Sequence, residues 1–194
     1  MRQLRIHGRG GQGAVIASKL LASAFFREGL EVQSFPKFGV ERRGAPVTAY
    51  LRVSDGPIKL RCQITEPDDL VVLDPTLVHA VDVTEGLAPG GSILINSPKP
   101  PEGYEELLRS WRVATVDAGE IAAELELGSA SQPIVNTAIL GAFSADSGRL
   151  ALETVCETIR EEVPAKTDAN VTAARRAARA VRAADRRTEE VARG

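Results

Sequence analysis

The chain has 194 residues, of which 43% are hydrophobic, and a formal net charge of −2. That length and apolar content suit one domain with a substantial core and at most an appendage. The near-neutral charge gives no global bias toward nucleic acid or a membrane surface, and no apolar run approaches the ~18 residues of a spanning helix.

The first strand-like run is Leu4–His7, and the glycine-rich stretch Gly8-Arg9-Gly10-Gly11-Gln12-Gly13 follows it directly. A helical pattern then extends from about Gln12 to Arg27 and ends at Gly29, a residue suited to a left-handed cap. Glu31–Phe35 reads as a second strand, and the loop Pro36–Pro46 after it carries Lys37, Glu41, Arg42 and Arg43. Val47–Val53 is strand-like, and the turn Ser54-Asp55-Gly56-Pro57 predicts a hairpin with Ile58–Arg61. Leu70–Leu73 and Ser92–Asn96 are continuous apolar runs of the kind found in buried parallel strands, and Trp111–Val116 supplies one more strand. Helices are expected over Thr76–Glu85, Glu102–Ser110, Ala118–Leu125, Pro133–Ala145 and Leu150–Glu162.

This alternation predicts an α/β fold: a three-layer α/β/α sandwich with a mainly parallel, Rossmann-like sheet and a β-hairpin insertion. The expected division is a main domain over 1–172 and an Ala/Arg-rich helix or tail over 173–194, with Arg175, Arg176, Arg179, Arg182, Arg186 and Arg187. Its apolar residues are small and sparse, so it is expected to be solvated or frayed, with a partner-binding arm as the alternative. Cys62 and Cys156 are far apart, with only His7 and His79 beside them in the metal-ligand inventory. They cannot supply an iron–sulfur cluster and do not suggest structural zinc; two buried, reduced thiols are expected. The opening Met1-Arg2-Gln3-Leu4 runs straight into a strand without a signal-peptide pattern, so the expected location is the cytoplasm.

Strand, glycine loop and helix together present backbone N–H groups to an anion at a helix N-terminus. The stretch satisfies GxGxxG, but the acid that would hold a ribose at the end of the second strand is missing; Lys37, Arg42 and Arg43 follow instead. A basic loop there suits the extra phosphate of NADP and equally the 3′-phosphate of coenzyme A. Such a turn can also serve helix–strand packing alone. Gln12 argues for a ligand, since an amide beside three glycines is placed to hydrogen-bond one.

Six ordered segments carry a resemblance: Ile6–Val15, Phe35–Val47, Arg52–Asp55, Val72–Leu77, Gly90–Asn96 and Asn136–Phe143. Over about residues 4–172 the chain resembles the gamma subunit of pyruvate:ferredoxin oxidoreductase, and Phe38–Val47 resembles the pyruvate type of that family. The resemblance implies a subunit of an enzyme that oxidatively decarboxylates a 2-oxoacid with coenzyme A to acyl-CoA and CO2 and reduces ferredoxin. It implies alpha, beta and delta partner subunits in a heterotetramer, with thiamine diphosphate, Mg and [4Fe–4S] clusters on those partners. This chain, inactive alone, would help bind coenzyme A and close the active site through Gly8, Gly10, Gly11, Gln12, Gly13, Arg42, Arg43 and Asn136, with no catalytic residue and no metal of its own. Asn136 is equally readable as a helix-cap residue, Glu41 as an ion-pair partner of the adjacent arginines, and His7 as a structural histidine. Two other readings remain open: a self-contained NAD(P)-dependent dehydrogenase, and a structural subunit that only bridges its partners.

Overall fold

The computed structural model describes residues 1–37, 44–129 and 132–186. Its elements in chain order begin with β1 (Arg2–Arg9), α1 (Ala14–Arg27), β2 (Glu31–Pro36), β3 (Pro46–Ser54) and β4 (Asp69–Val72). There follow α2 (Leu77–Ala80), β5 (Ser92–Asn96), a 3-10 turn at Pro101–Tyr104, α3 (Glu105–Leu108), β6 (Arg112–Val116) and α4 (Ala118–Glu124). The chain continues with β7 (Gly128–Ser129), β8 (Gln132–Pro133), α5 (Asn136–Ser147), α6 (Leu152–Glu162), α7 (Thr167–Ala180) and β9 (Arg182–Ala184). No helix among the described residues is long and apolar enough to cross a membrane.

The α/β class expected from the sequence is the one observed, with a mixed sheet ordered β2-β3-β1-β4-β5-β6-β9. Its centre, β1, β4, β5 and β6, is parallel. Both flanks are antiparallel: β3 pairs with β1 and β2 on one side, and β9 pairs with β6 on the other. The apolar runs at Leu70–Leu73 and Ser92–Asn96 are central because neither face of those strands meets water. The predicted hairpin partner Ile58–Arg61 forms no strand; β3 finds its antiparallel partners in β2 and β1.

Alternation along the strands sends side chains to two unlike faces. One face, with Leu4, Ile6, Leu51, Val71 and Leu94, packs under α1, α4, α5, α6 and α7. The other is apolar over Leu70, Val72, Ile93 and Ile95, covered by Leu77, Tyr104 and Leu108. Further along that second face, beside Leu70 and Val72, stand Arg5 and His7 on β1 and Tyr50 on β3.

Helix α5 is buried on almost every side, from Asn136 to Ser144. Helix α7 lies against it, and Ala173, Ala174 and Ala177 are fully buried. The boundary expected at 172–173 therefore falls inside a packed helix, and the solvated-tail reading fails for residues 173–180. Small side chains let the two backbones meet: a Cβ built on Gly141 would lie 1.9 Å from the carbonyl oxygen of Ala174. The arginines of α7 face outward, Arg175 to Glu153 at 2.7 Å and Arg176 to Glu124. Cys156 is buried as expected, but Cys62 is exposed, beside the Arg52 guanidinium.

The expected helix Thr76–Glu85 shrinks to α2. Asp82 Oδ1 accepts from the N–H and hydroxyl of Thr84, which closes a local turn that competes with the helix. At the end of the sheet remote from the glycine loop, buried Asp69 accepts from Arg2 at 2.8 and 3.1 Å, Arg149 at 2.8 Å and Ser92 at 2.7 Å. That clamp ties β1, β4, β5 and the turn before α6 together.

Candidate functional site

The glycine loop closes by hydrogen bonds to the far side of the 38–43 stretch. Gly10 N–H donates to the Ala45 carbonyl at 2.9 Å, and Gly44 N–H donates to the Gly10 carbonyl at 3.2 Å. Gly11 has φ +99 and Gly13 φ +82, conformations that exact a steric cost from any residue with a Cβ. Gly13 is the N-cap of α1, and only from Ala17 onward do N–H groups find acceptors in the turn below. Among the described residues, the N–H groups of Gly11, Gly13, Ala14, Val15 and Ile16 have no acceptor. This is the anion-accepting end of a 14-residue helix.

Asn136, the first residue of α5, sits against that end. A Cβ on Gly13 would lie 3.0 Å from its Nδ2, while its Oδ1 accepts from the Thr137 N–H at 2.8 Å. Two helix N-termini thus converge, with the Asn136 amide between them and its Nδ2 without an acceptor among the described residues. A cavity of about 470 Å3 opens beside them, lined by Gly10, Gly11, Gln12, Gly44, Asn96 and Val135 among others.

Gln12 does something other than the sequence suggested. Its Oε1 accepts from the Arg9 N–H at 2.7 Å and its Nε2 donates to Asp74 at 2.9 Å, so its carboxamide is engaged inside the protein at both ends. Gly8 is a packing glycine, with Ala14 Cβ at 3.2 Å and Leu73 Cδ1 at 3.3 Å from where its own Cβ would be. Asn96, at the end of β5, spends its Oδ1 on the first N–H groups of α4 and its Nδ2 on the Leu73 carbonyl.

The residue that sequence reasoning missed is Asp74. One of its carboxylate oxygens accepts from Arg9 Nε at 3.0 Å and Gln12 Nε2; the other accepts from the N–H and hydroxyl of Thr76. Burial alone would raise this carboxyl, but the hydrogen bonds from Thr76 and Gln12 and the Arg9 charge outweigh it and hold it below the usual carboxylate value. Arg9 completes the ring through the Gly44 carbonyl at 3.1 Å and the Thr76 hydroxyl at 2.8 Å. Position was the available signal: Asp74 follows β4 directly, at the strand end where α/β ligands sit.

The structure therefore brings together Gly10, Gly11, Gln12, Gly13 and Asn136, with Gly8 just beneath. Arg42 and Arg43 lie outside the described residues, immediately before Gly44. His7 is 7% exposed and turned to the opposite face of the sheet from Leu4 and Ile6. In a dinucleotide fold the strand after the first helix pairs with β1. Here β3 is interposed, so β2 lies two strand spacings from β1, about 10 Å, which removes the reach a ribose-binding acid would need. Among the described residues no cluster of three or more His, Cys, Asp or Glu could hold a metal.

Comparison with known proteins agrees with this architecture. The family model of pyruvate ferredoxin/flavodoxin oxidoreductase matches residues 3–180. The chain is 54% identical over 163 residues to the pyruvate/ketoisovalerate oxidoreductases common subunit gamma of Thermococcus kodakarensis, covering 83% of this chain and 86% of that one. It is 45% identical over 160 residues to the pyruvate synthase subunit PorC of Methanosarcina barkeri, covering 82% and 85%. The crystal structure of pyruvate oxidoreductase subunit PORC from Thermotoga maritima superposes with a TM-score of 0.80 at 33% identity, covering 95% of this chain and 98% of that one. The chain belongs to the pyruvate ferredoxin/flavodoxin oxidoreductase family and is a gamma-type subunit of such an enzyme.

Proposed function

We propose that this chain binds coenzyme A at the glycine loop and helps close the active site of a cytoplasmic 2-oxoacid:ferredoxin oxidoreductase. The reading is carried by one observation: the N-termini of α1 and α5 meet beside the cavity that Gly10, Gly11, Gln12 and Val135 line, with several N–H groups and Asn136 Nδ2 without an acceptor among the described residues. Coenzyme A carries a pyrophosphate and a 3′-phosphate, and the complement of those acceptor oxygens is a set of preorganised N–H donors with positive dipole ends behind them. Gly11, Gly13 and Asn136 would hold the anionic part. Arg42 and Arg43 would add forked donors to the phosphate oxygens. The Arg9–Gln12–Asp74–Thr76 ring would keep the loop in shape rather than touch the ligand.

Thiamine diphosphate, Mg and [4Fe–4S] clusters on alpha, beta and delta subunits supply the decarboxylation and the electron path to ferredoxin. This chain contributes binding and enclosure, and is inactive alone. The Thermococcus relative is named as common to pyruvate and ketoisovalerate oxidoreductases. We therefore take pyruvate or a related 2-oxoacid as the substrate, with the choice of acyl group made on the partner subunits.

The test is Gly11→Val in the assembled complex. Nothing lies within 4 Å of the Cβ position of Gly11, so the change disturbs the loop's backbone and the space above it rather than a packed neighbour. The expected outcome is intact assembly with the KM for coenzyme A raised about tenfold, a loss of ~1.4 kcal/mol. Lost assembly would make the loop a packing element. Neutralising Arg42 and Arg43 together with no change in that KM would favour a subunit that only bridges its partners.

A further inference from the structure

On the opposite face of the sheet, a second cavity of about 530 Å3 lies among Arg5, His7, Lys37, Tyr50, Gln63 and Asp82. Arg5 is 7% exposed, yet it has no ion-pair partner among the described residues. Its Nε donates to His7 Nε2 at 3.0 Å, and its Nη2 donates to the carbonyls of Val83 and Glu85, each at 2.7 Å. Its Nη1 has no acceptor among the described residues.

Because His7 Nε2 accepts, the neutral ring carries its proton on Nδ1. Burial, then the charges of Arg5 and Lys37, push the His7 pKa down to about 4, so the ring is neutral at physiological pH. The Nδ1–H also lacks an acceptor among the described residues. Among the described residues no buried side-chain nitrogen or oxygen is left without a partner. Arg5 Nη1 and His7 Nδ1 must therefore be reached by solvent, and the space that both residues line is this cavity.

The surroundings add positive charge. Arg52, fully buried next to Tyr50 on β3, is held by Gln3, Gln33 and the Cys62 carbonyl, and lies 5.4 Å from the centroid of the Phe35 ring. It too has neutral partners only. Lys37 stands exposed at the mouth. The acids at the rim are Asp82, one of whose carboxylate oxygens accepts from Thr84, and Glu85; both act on Arg5 through their charge, but neither lies within ion-pair distance of it. Two buried guanidinium groups without a paired carboxylate form an arrangement that a bound anion relieves.

We propose that this cavity is a binding site for a small carboxylate- or phosphate-bearing molecule, held by Arg5 Nη1, His7 Nδ1–H and the Lys37 ammonium. The proposal is independent of coenzyme A at the glycine loop, and its test uses none. The chain has two histidines, and exposed His79 serves as the internal reference for His7. The full-length chain is titrated with sodium phosphate, sodium acetate and sodium chloride at fixed pH and ionic strength, while the imidazole Cε1–H resonances are followed by NMR.

The expected result is a saturable shift of His7 with phosphate or acetate, absent with chloride, and no comparable shift of His79. Saturation by phosphate alone identifies a tetrahedral dianion, and saturation by acetate as well identifies a carboxylate-sized site. Arg5→Gln abolishes saturation. Since Arg5 also ties down Val83 and Glu85, the second variant is Lys37→Met at an exposed position, expected to weaken binding about threefold. A His7 shift that is linear or matches chloride overturns the proposal. So does unchanged binding in Lys37→Met.

Discussion

Gly141→Ala tests whether α5 and α7 touch backbone to backbone. A Cβ there would lie 1.9 Å from the carbonyl oxygen of Ala174, 2.5 Å from its carbonyl carbon and 2.6 Å from its Cα. Restoring an ordinary van der Waals separation moves the helices apart by about 1.5 Å, and even a gap of ~1 Å forfeits up to half of each contact's dispersion energy. Alanine gains ~1 kcal/mol over glycine by helix propensity. Overpacking costs ~1–3 kcal/mol or more, and here the upper end applies because no side chain can rotate away. The net is a destabilisation of about 2 kcal/mol, or a fall of ~4–8 °C in Tm for a chain of this size. Thermal and urea unfolding followed by circular dichroism measure it. A Tm equal to or above that of the parent chain refutes the close approach. Adding Ala174→Gly gives a second check: the clashing atoms are backbone, so this truncation does not rescue, and a rescue would equally defeat the argument.

Two further predictions concern the two sides of β1. His7 binds a proton in the unfolded chain near pH 6.5 but in the fold only near pH 4, so the unfolded state holds more protons between those values. Stability therefore falls as pH drops through that window, by up to ~3 kcal/mol, and is flat in this term below it. Urea titrations from pH 7.5 to 4 measure the slope, and His7→Gln should remove most of it; an unchanged slope assigns the effect elsewhere. At the glycine loop, Gly13→Ala incurs the left-handed penalty of ~1–2 kcal/mol and also a contact with Asn136 Nδ2, which the cavity-facing Gly11→Ala does not. In an Asn136→Ala background the second part disappears, so a double-mutant cycle should show a coupling of ~0.5–1 kcal/mol; additivity would separate the two residues.

The legible parts of this fold are those whose causes are local. Gly11 and Gly13 announce a loop because their backbone conformations exclude other residues, and the apolar runs of β4 and β5 announce buried strands. What could not be read depends on distant partners. The antiparallel flank joins residues some 37 to 51 positions apart, such as Arg5 and Tyr50, and no turn signal marks that pairing. The alanines of α7 looked too small to bury anything useful, yet smallness is what a close contact opposite Gly141 requires. At the site, Gly10–Gly13 and Asn136 do come together. The fate of the Gln12 amide depended on Asp74, 62 residues away, whose carboxylate competes for the same donor as any ligand. The polar positions Arg5 and His7 alternate with Leu4 and Ile6 in plain view, but only the missing helix cover shows that they face a cavity.

Strand β9 has a consequence for what can pair with the sheet. It covers Val113–Thr115 of β6 through a three-residue antiparallel ladder, and it lies beyond residue 180, where the family match ends. A sheet margin left bare is an invitation to any extended peptide, including another copy of the same chain. Here the chain answers its own margin with its last described strand. An extended segment from outside is therefore barred from pairing with Val113–Thr115 of β6, and a chain cut back to Ala180 would trade that restraint for a tendency to self-associate.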